Sequence, residues 1–405
     1  MTNRTKEVKW IEKSPSLRPP IAFWDPTCFS VGQGQGKAGN GSASRIWKGE
    51  GKNRCGQCSR NIGLSLFGGF LPTAMNALID AHNRKINYLR ISITDRCNLR
   101  CQYCMPQEGV SQFGHAEVLR YEEIRRIAAI AARRGISKIR ITGGEPLVRK
   151  DVVQLVDHLA RIEGIRDLSM TTNGVLLEKF AGDLRQAGLR RVNISMDSLD
   201  PDKYRRITRG GDLSRVWAGI AAARGAGLNP IKINIVAIAG LNDDEILDFA
   251  RLTMDSDLQV RFIEFMPIGE SSAWHPEQNI PAGEVRKRID SLAPLTPFEN
   301  GRDSSDGPAR LFKLPGALGS IGLISPVSDH FCTSCNRLRL TADGKLKTCL
   351  FSDEEVDLKC LIRSGDSDET LEKIMTQAIS RKPLRHGTII AGMKRCQRPM
   401  VKIGG

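Results

Sequence analysis

From Tyr88 onwards, short runs of alternating apolar and polar residues are separated by stretches with helical spacing. The alternating runs predict strands over residues 88–94, 138–143, 167–173, 191–196, 231–238 and 260–266. Apolar residues recurring every three or four positions predict helices over 121–134, 151–162 and 244–254. Six β–α alternations make a parallel sheet, open or barrel-like. Beyond a polar, turn-rich stretch at 300–305 come short strands over 310–314, 321–324 and 338–340. Two helical patterns, 354–363 and 368–379, follow them. This C-terminal part reads as a smaller α+β domain.

The faces of the first strands are unusual. Arg90, Ser92 and Thr94 share one side, and Leu89, Ile91 and Ile93 the other. Lys138, Arg140 and Thr142 oppose Ile139 and Ile141; Asn193, Ser195 and Asp197 oppose Val192, Ile194 and Met196; Lys232 and Asn234 oppose Ile231, Ile233 and Ile235. Crossover helices pack on the apolar side, so in a barrel the polar side faces the lumen. A barrel of this kind normally fills its lumen with branched aliphatic side chains. Buried cations are costly unless paired, so such a lumen is wet or takes an anionic ligand. The alternative is an open sheet with its polar face in water.

Composition narrows the field. The 405 residues are 40% hydrophobic and 26% charged, which excludes a disordered chain. Aromatic residues make up only 5%, too few to suggest stacking on single-stranded nucleic acid. The net charge of +15 is uneven: residues 1–87 hold 13 basic and 5 acidic residues, and the other 318 hold 47 and 40. A mildly basic body suits a small polyanion at least as well as a nucleic acid. The uncharged stretch 61–79 carries Asn61, Pro72 and Asn76, too polar and broken for a membrane span. It reads as a buried approach segment.

Residues 1–60 differ from the rest. Eight glycines fall within 32–56, a linker composition, and 11 Lys/Arg in the first 60 residues invite a transit-peptide reading. Glu7, Glu12 and Asp25 argue against a clean one. The address is the mitochondrial matrix if this extension is a transit segment, and otherwise the cytoplasm. The expected division is an extension over 1–75, a first domain over 76–298 and a second over 299–405.

Eleven cysteines are too few for a disulfide scaffold, and they cluster. Cys97, Cys101 and Cys104 follow the first strand as C-x3-C-x2-C. Three thiolates can hold three corners of an iron–sulfur cube and leave one iron open, whereas a structural zinc site or an electron-carrying cluster wants four ligands. Thr142-Gly143-Gly144-Glu145-Pro146 follows the second strand, and Tyr103 precedes the third cysteine. With these features the chain resembles the radical SAM superfamily. That resemblance implies that S-adenosylmethionine (SAM) chelates the open iron and is cleaved to a 5′-deoxyadenosyl radical. It places the Gly-Gly-Glu-Pro motif against the methionine amine, where glycine lets backbone come close.

A second triplet is Cys332-Thr-Ser-Cys335 with Cys349. A second open cluster fits it; a zinc site completed by His330, or with Cys360 as a weaker candidate, is the alternative. Arg337-Leu338-Arg339 follows, with both arginines on one strand face, suited to phosphate. The chain ends Gly404-Gly405, while Cys55 and Cys58 form an isolated C-x2-C. Residues 88–405 together resemble the GTP 3′,8-cyclase family of molybdenum cofactor biosynthesis.

This resemblance implies an α/β fold: an incomplete (β/α)6 radical SAM barrel, with a smaller α+β C-terminal domain that carries a second 4Fe–4S cluster. It implies that the radical abstracts ribose H3′ of GTP and that C3′ attacks guanine C8, giving 3′,8-cyclo-7,8-dihydro-GTP. Arg90, Arg140, Thr171, Lys232, Arg337, Leu338 and Arg339 would then contact GTP. Tyr103, Gly144, Ser195 and Met266 would line the SAM site, and Gly404 and Gly405 would reach the reacting centre. The implied partners are an electron donor and, for the product, cyclic pyranopterin monophosphate synthase. Nucleic acid and membrane are not expected, and a homodimer is compatible with the family. A peptide-modifying radical SAM enzyme, or a basic zinc protein that binds nucleic acid, are the competing readings.

Overall fold

The computed structural model describes residues 77–269, 274–298, 307–386 and 396–404. The N-terminal extension with Cys55 and Cys58, the 300–305 boundary and Gly405 lie outside them, as does all but the end of the 61–79 stretch.

A small antiparallel hairpin, β1 (Leu78–Ile79) and β2 (Lys85–Ile86), leads in. Six strands follow: β3 (Tyr88–Ser92), β4 (Lys138–Thr142), β5 (Asp167–Thr172), β6 (Arg191–Ser195), β7 (Lys232–Ala237) and β8 (Gln259–Glu264). Each end lies within two residues of an alternating run. The strands pair in parallel in chain order. Between them run α1 (Tyr121–Arg133), α2 (Val152–Ala160), α3 (Leu177–Gln186), α4 (Pro201–Thr208), α5 (Leu213–Gly225) and α6 (Ile246–Asp255).

Local chemistry starts and aims these helices. In α1, Ile124, Ile127, Ala128 and Ala131 recur at helical spacing and are buried. The Glu123 carboxylate accepts the Arg120 backbone N–H at 2.7 Å, satisfying a donor that the first turn leaves free. Asp200 does the same for α4, accepting Lys203 N–H at 2.6 Å, with Pro201 at the first helical position. The outward strand residues Leu89, Ile91, Ile139, Ile141, Ile194 and Ile233 are fully buried under the helices.

The C-terminal part continues with α7 (Ala282–Asp290), β9 (Thr296–Pro297), β10 (Arg310–Lys313), β11 (Ser320–Ile324), β12 (Arg337–Leu340), β13 (Lys345–Lys347), β14 (Val356–Asp357), α8 (Leu358–Arg363), α9 (Asp368–Ser380) and α10 (Met400–Ile403). The strands of this C-terminal part extend the first sheet at both of its edges. β11 pairs in parallel with β8, Ile321 opposite Val260, and β12 pairs in parallel with β3, Leu338 opposite Leu89. One twelve-stranded sheet results, with eight parallel strands at its centre. The physical reason is the open edges of β3 and β8, whose backbone groups β12 and β11 satisfy. The helix expected from residue 354 begins at Leu358, because Val356 and Asp357 pair with β13 and Asp357 caps the helix through Cys360 N–H at 2.9 Å.

Candidate active site

Inward residues of all eight parallel strands line a single cavity of about 320 Å³, so the sheet wraps around it. Tyr88, Arg90, Arg140, Thr171, Asn193 and Lys232 are among them, so the polar strand faces form a lumen and not a water-facing surface. Both cysteine triplets border this cavity. Topology puts them at opposite ends. Cys97, Cys101 and Cys104 follow the C-terminal end of β3. Cys332 and Cys335 precede the N-terminal end of β12, which runs parallel to β3. Cys349 follows β13, antiparallel to β12, and so lies at the same end as Cys332 and Cys335.

At the first end a tight turn gathers the thiols, with Cys104 N–H and Met105 N–H both donating to the Cys101 carbonyl. Leu99 N–H points at Cys97 Sγ, 3.4 Å away. Burial pushes the Cys97 thiol up to about 11, and burial with the neighbouring Cys97 and Asp197 charges pushes Cys104 up to about 12. Three crowded, buried thiols resist ionisation unless a cationic group sits among them, and the iron corners of a 4Fe–4S cube are such a group. The Gly-Gly-Glu-Pro turn packs directly behind. A Cβ on Gly144 would come within 2.4 Å of the Arg96 carbonyl, and one on Gly143 within 2.7 Å of the Thr94 carbonyl. A close approach that demands glycine is therefore made to the backbone of the cysteine-bearing loop. Glu145 is locked by Leu147 N–H, Asn173 N–H and the Thr172 hydroxyl, and burial raises it to about 7.

The second end is held differently. Burial alone would raise the Cys335 thiol, but Arg337 and Lys382 outweigh it and bring it to about 6. Arg84, in the β1–β2 hairpin, donates to the carbonyls of Cys332 at 2.6 Å and Pro383 at 2.7 Å, pinning the loop. His330 gives Nδ1 to the Pro326 carbonyl at 2.8 Å, and its ring packs edge-on against His386. Cys360 does not line the cavity. Among the described residues no three His, Cys, Asp or Glu side chains close on a single-ion site; a cube, with its corners set apart, asks for wider spacing.

Between the ends the wall is cationic. Arg90, Arg140, Lys232, Arg337 and Arg339 all line the cavity, as do Lys138, Arg191 and Arg261, which the sequence reading did not assign. The lining carboxylates are Asp197 and Glu264. Burial, with Arg339 and Arg140 nearby, holds the Arg90 guanidinium well below its usual range, and burial beside Arg337 lowers Arg339 to about 10. Such crowding costs stability and is relieved by a polyanion. Leu338 departs from its expected role: its side chain is fully buried and does not line the cavity, because alternation turns it to the apolar side opposite Leu89.

The C-terminal tail enters this lumen. Arg339 Nη1 donates to the Gly404 carbonyl at 2.8 Å. At the first end Tyr103 donates its hydroxyl to Asp197 Oδ2 at 2.6 Å, and its ring meets Phe265 edge-on. Gly144, Ser195 and Met266 line the same cavity.

Asp197 gives a pH test. Burial raises its carboxyl to about 6, only partly offset by the bonds from Tyr103 and Val236. A carboxyl raised above its unfolded value favours folding while protonated. That contribution is full below about pH 4 and is lost as pH rises to about 6. Asp197→Asn in the ligand-free protein should therefore gain on wild type between pH 4.5 and 7, by up to about 3 kcal/mol. Denaturant unfolding across that range checks it, and a pH-independent difference would refute the assignment.

Comparison with known proteins agrees with this geometry. The family model of the radical SAM superfamily matches residues 91–253, and that of Molybdenum Cofactor Synthesis C matches residues 258–388. The chain is 53% identical over 326 residues to the GTP 3′,8-cyclase of Moorella thermoacetica, covering 80% of this chain and 99% of the relative. It is 50% identical over 326 residues to that of Alkaliphilus oremlandii, with the same coverage. Among solved structures, Streptococcus suis SuiB bound to precursor peptide SuiA matches with a TM-score of 0.52 at 15% identity, over 80% of this chain and 72% of that one. SuiB bound to S-adenosylmethionine matches with a TM-score of 0.51 at 14% identity, over 75% and 68%. At such identity SuiB shares the fold alone. Half of the aligned positions are identical to the cyclases over nearly their whole length, and the chain belongs to the GTP 3′,8-cyclase family within the radical SAM superfamily.

Proposed function

We infer that this chain is a GTP 3′,8-cyclase that opens molybdenum cofactor biosynthesis. The observation that carries the reading is a cationic lumen with a cysteine triplet at each end. Cys97, Cys101 and Cys104 hold a 4Fe–4S cluster, with Tyr103, Gly144, Ser195 and Met266 around SAM. Cys332, Cys335 and Cys349 would hold a second cluster, at the guanine end of GTP. When bound, the first cluster and SAM would supply the one-electron chemistry for removing ribose H3′, on the way to 3′,8-cyclo-7,8-dihydro-GTP.

The chain's own residues do the rest. Arg90, Arg140, Lys232, Arg337 and Arg339 hold the triphosphate, and their mutual repulsion falls when it binds. Tyr103 and Asp197 fix the wall at the SAM end. Met400 and Val401 of α10 close the cavity with the tail. The product passes to cyclic pyranopterin monophosphate synthase. The test is anaerobic incubation of reconstituted protein with SAM, dithionite and GTP, followed by mass analysis; absence of both 5′-deoxyadenosine and altered GTP would overturn the reading.

The phosphate assignment has its own test. Losing a hydrogen bond to a charged group costs about 1.5–3 kcal/mol, so Arg337→Ala or Arg339→Ala should weaken GTP binding about ten- to a hundredfold. Guanosine, without phosphates, should lose little. Equal weakening of both ligands in anaerobic titration would show that the arginines act through Cys335 or Gly404, which they also touch.

A further inference from the structure

The lumen wall is not cationic throughout. Strands β5, β6 and β7 carry Arg191 and Lys232 but also present neutral groups in register, Thr171 beside Asn193 and Ser195 beside Asn234. Asn193 stands out among them. It is 1% exposed, lines the cavity, and neither its Nδ2 nor its Oδ1 meets a partner among the described residues. Thr171 Oγ1 and Asn234 Oδ1 are likewise without partners there. A buried amide left so costs on the order of 1–3 kcal/mol, so a ligand group that restores both bonds is strongly favoured.

The chemistry of an amide restricts that group. Nδ2 only donates and Oδ1 only accepts. A phosphate has no proton to give and would leave Oδ1 unsatisfied. A pair of neighbouring hydroxyls answers both atoms, one oxygen accepting and the other donating. The position agrees. Asn193 lies two residues, about 7 Å, before Ser195 on one strand and directly beside Lys232 on the next. It therefore sits mid-lumen, between the two cysteine-lined ends. If guanine is held at the Cys335 end and the hydrogen leaves toward the Cys97 end, the sugar must occupy this middle level.

We propose that Asn193 grips the ribose 2′,3′-diol of the nucleotide substrate and sets its preference for ribo- over 2′-deoxyribonucleotide. The inference rests on GTP being the substrate. The Asn193 amide donates to one hydroxyl and accepts from the other, turning C3′ toward the SAM end.

The test is anaerobic equilibrium binding of GTP, 2′-deoxy-GTP and SAM to reconstituted wild type, Asn193→Leu and Asn193→Ala. The leucine keeps the volume and the alanine removes it, and iron content checks that each variant is loaded. Wild type should bind GTP about tenfold or more tightly than 2′-deoxy-GTP, because the analogue strands a buried amide. In both variants the gap should close to within about twofold, through loss of GTP affinity, with SAM affinity unchanged. A gap that persists in the variants would overturn the proposal. So would weakened SAM binding with GTP unaffected, which would give the hydroxyls to the SAM ribose. A wild type that binds neither nucleotide would instead remove the GTP reading itself.

Discussion

Cys97→Ala should abolish SAM cleavage and still leave iron at the second triplet, while Cys335→Ala should abolish GTP cyclisation and leave SAM cleavage measurable. The expectation follows from strand direction. The first triplet leaves the C-terminal end of β3 and the second enters the N-terminal end of β12, and the two strands run parallel, side by side. Strands of this length place the triplets about 15 Å apart, too far to share one metal group. Their surroundings also differ. Cys97 and Cys104 are buried thiols pushed upward, whereas Cys335 lies beside Arg337 and Lys382 and ionises near 6. Iron per chain, measured in each variant after reconstitution, should fall by about half in both. Loss of all iron in both would mean one shared group, or a fold that neither half can hold alone.

The part of this architecture that was legible in the sequence is the part with a local period. Arg90, Arg140, Asn193 and Lys232 alternate with aliphatic residues, and that alternation put them on one polar face, which the fold makes a lumen and not an open water-facing surface. The cysteine triplets were legible as spacing. Long-range pairing was not. Nothing near Leu338 says that it will lie opposite Leu89, because a parallel partner far along the chain leaves no turn or hairpin signature. That the C-terminal strands join the first sheet was not legible for that reason. Arg84 was missed for a related one: its worth lies in carbonyls of Cys332 and Pro383, and backbone acceptors carry no residue code. Asp197 was seen on the right face, but its raised carboxyl depends on burial that only the folded chain supplies, a rise that the bond from Tyr103 partly offsets.

Gly404→Ala should cut cyclisation at least tenfold while iron content and unfolding midpoint stay close to wild type. Gly404 has φ of +86°, a left-handed conformation that costs alanine about 1 kcal/mol. The tighter constraint is space. A Cβ there would lie 2.4 Å from Thr142 Oγ1 and 2.7 Å from Ser92 Cβ, two inward residues of neighbouring strands. Those strands cannot move apart without breaking the sheet, so the tail must withdraw, and Arg339 then loses the carbonyl it donates to. The fold does not depend on this insertion. α10 is one turn long, and the tail is anchored before it by Arg398, which bonds Asp343 at 2.9 Å and Glu355 at 2.6 Å. Arg398→Ala should release the same tail without any clash and should lower cyclisation in the same direction. Comparing the two variants separates crowding of the lumen from loss of the tail, since only Gly404→Ala adds an atom. Full cyclisation by Gly404→Ala, with both clusters loaded, would show that the tail is a chain end and nothing more.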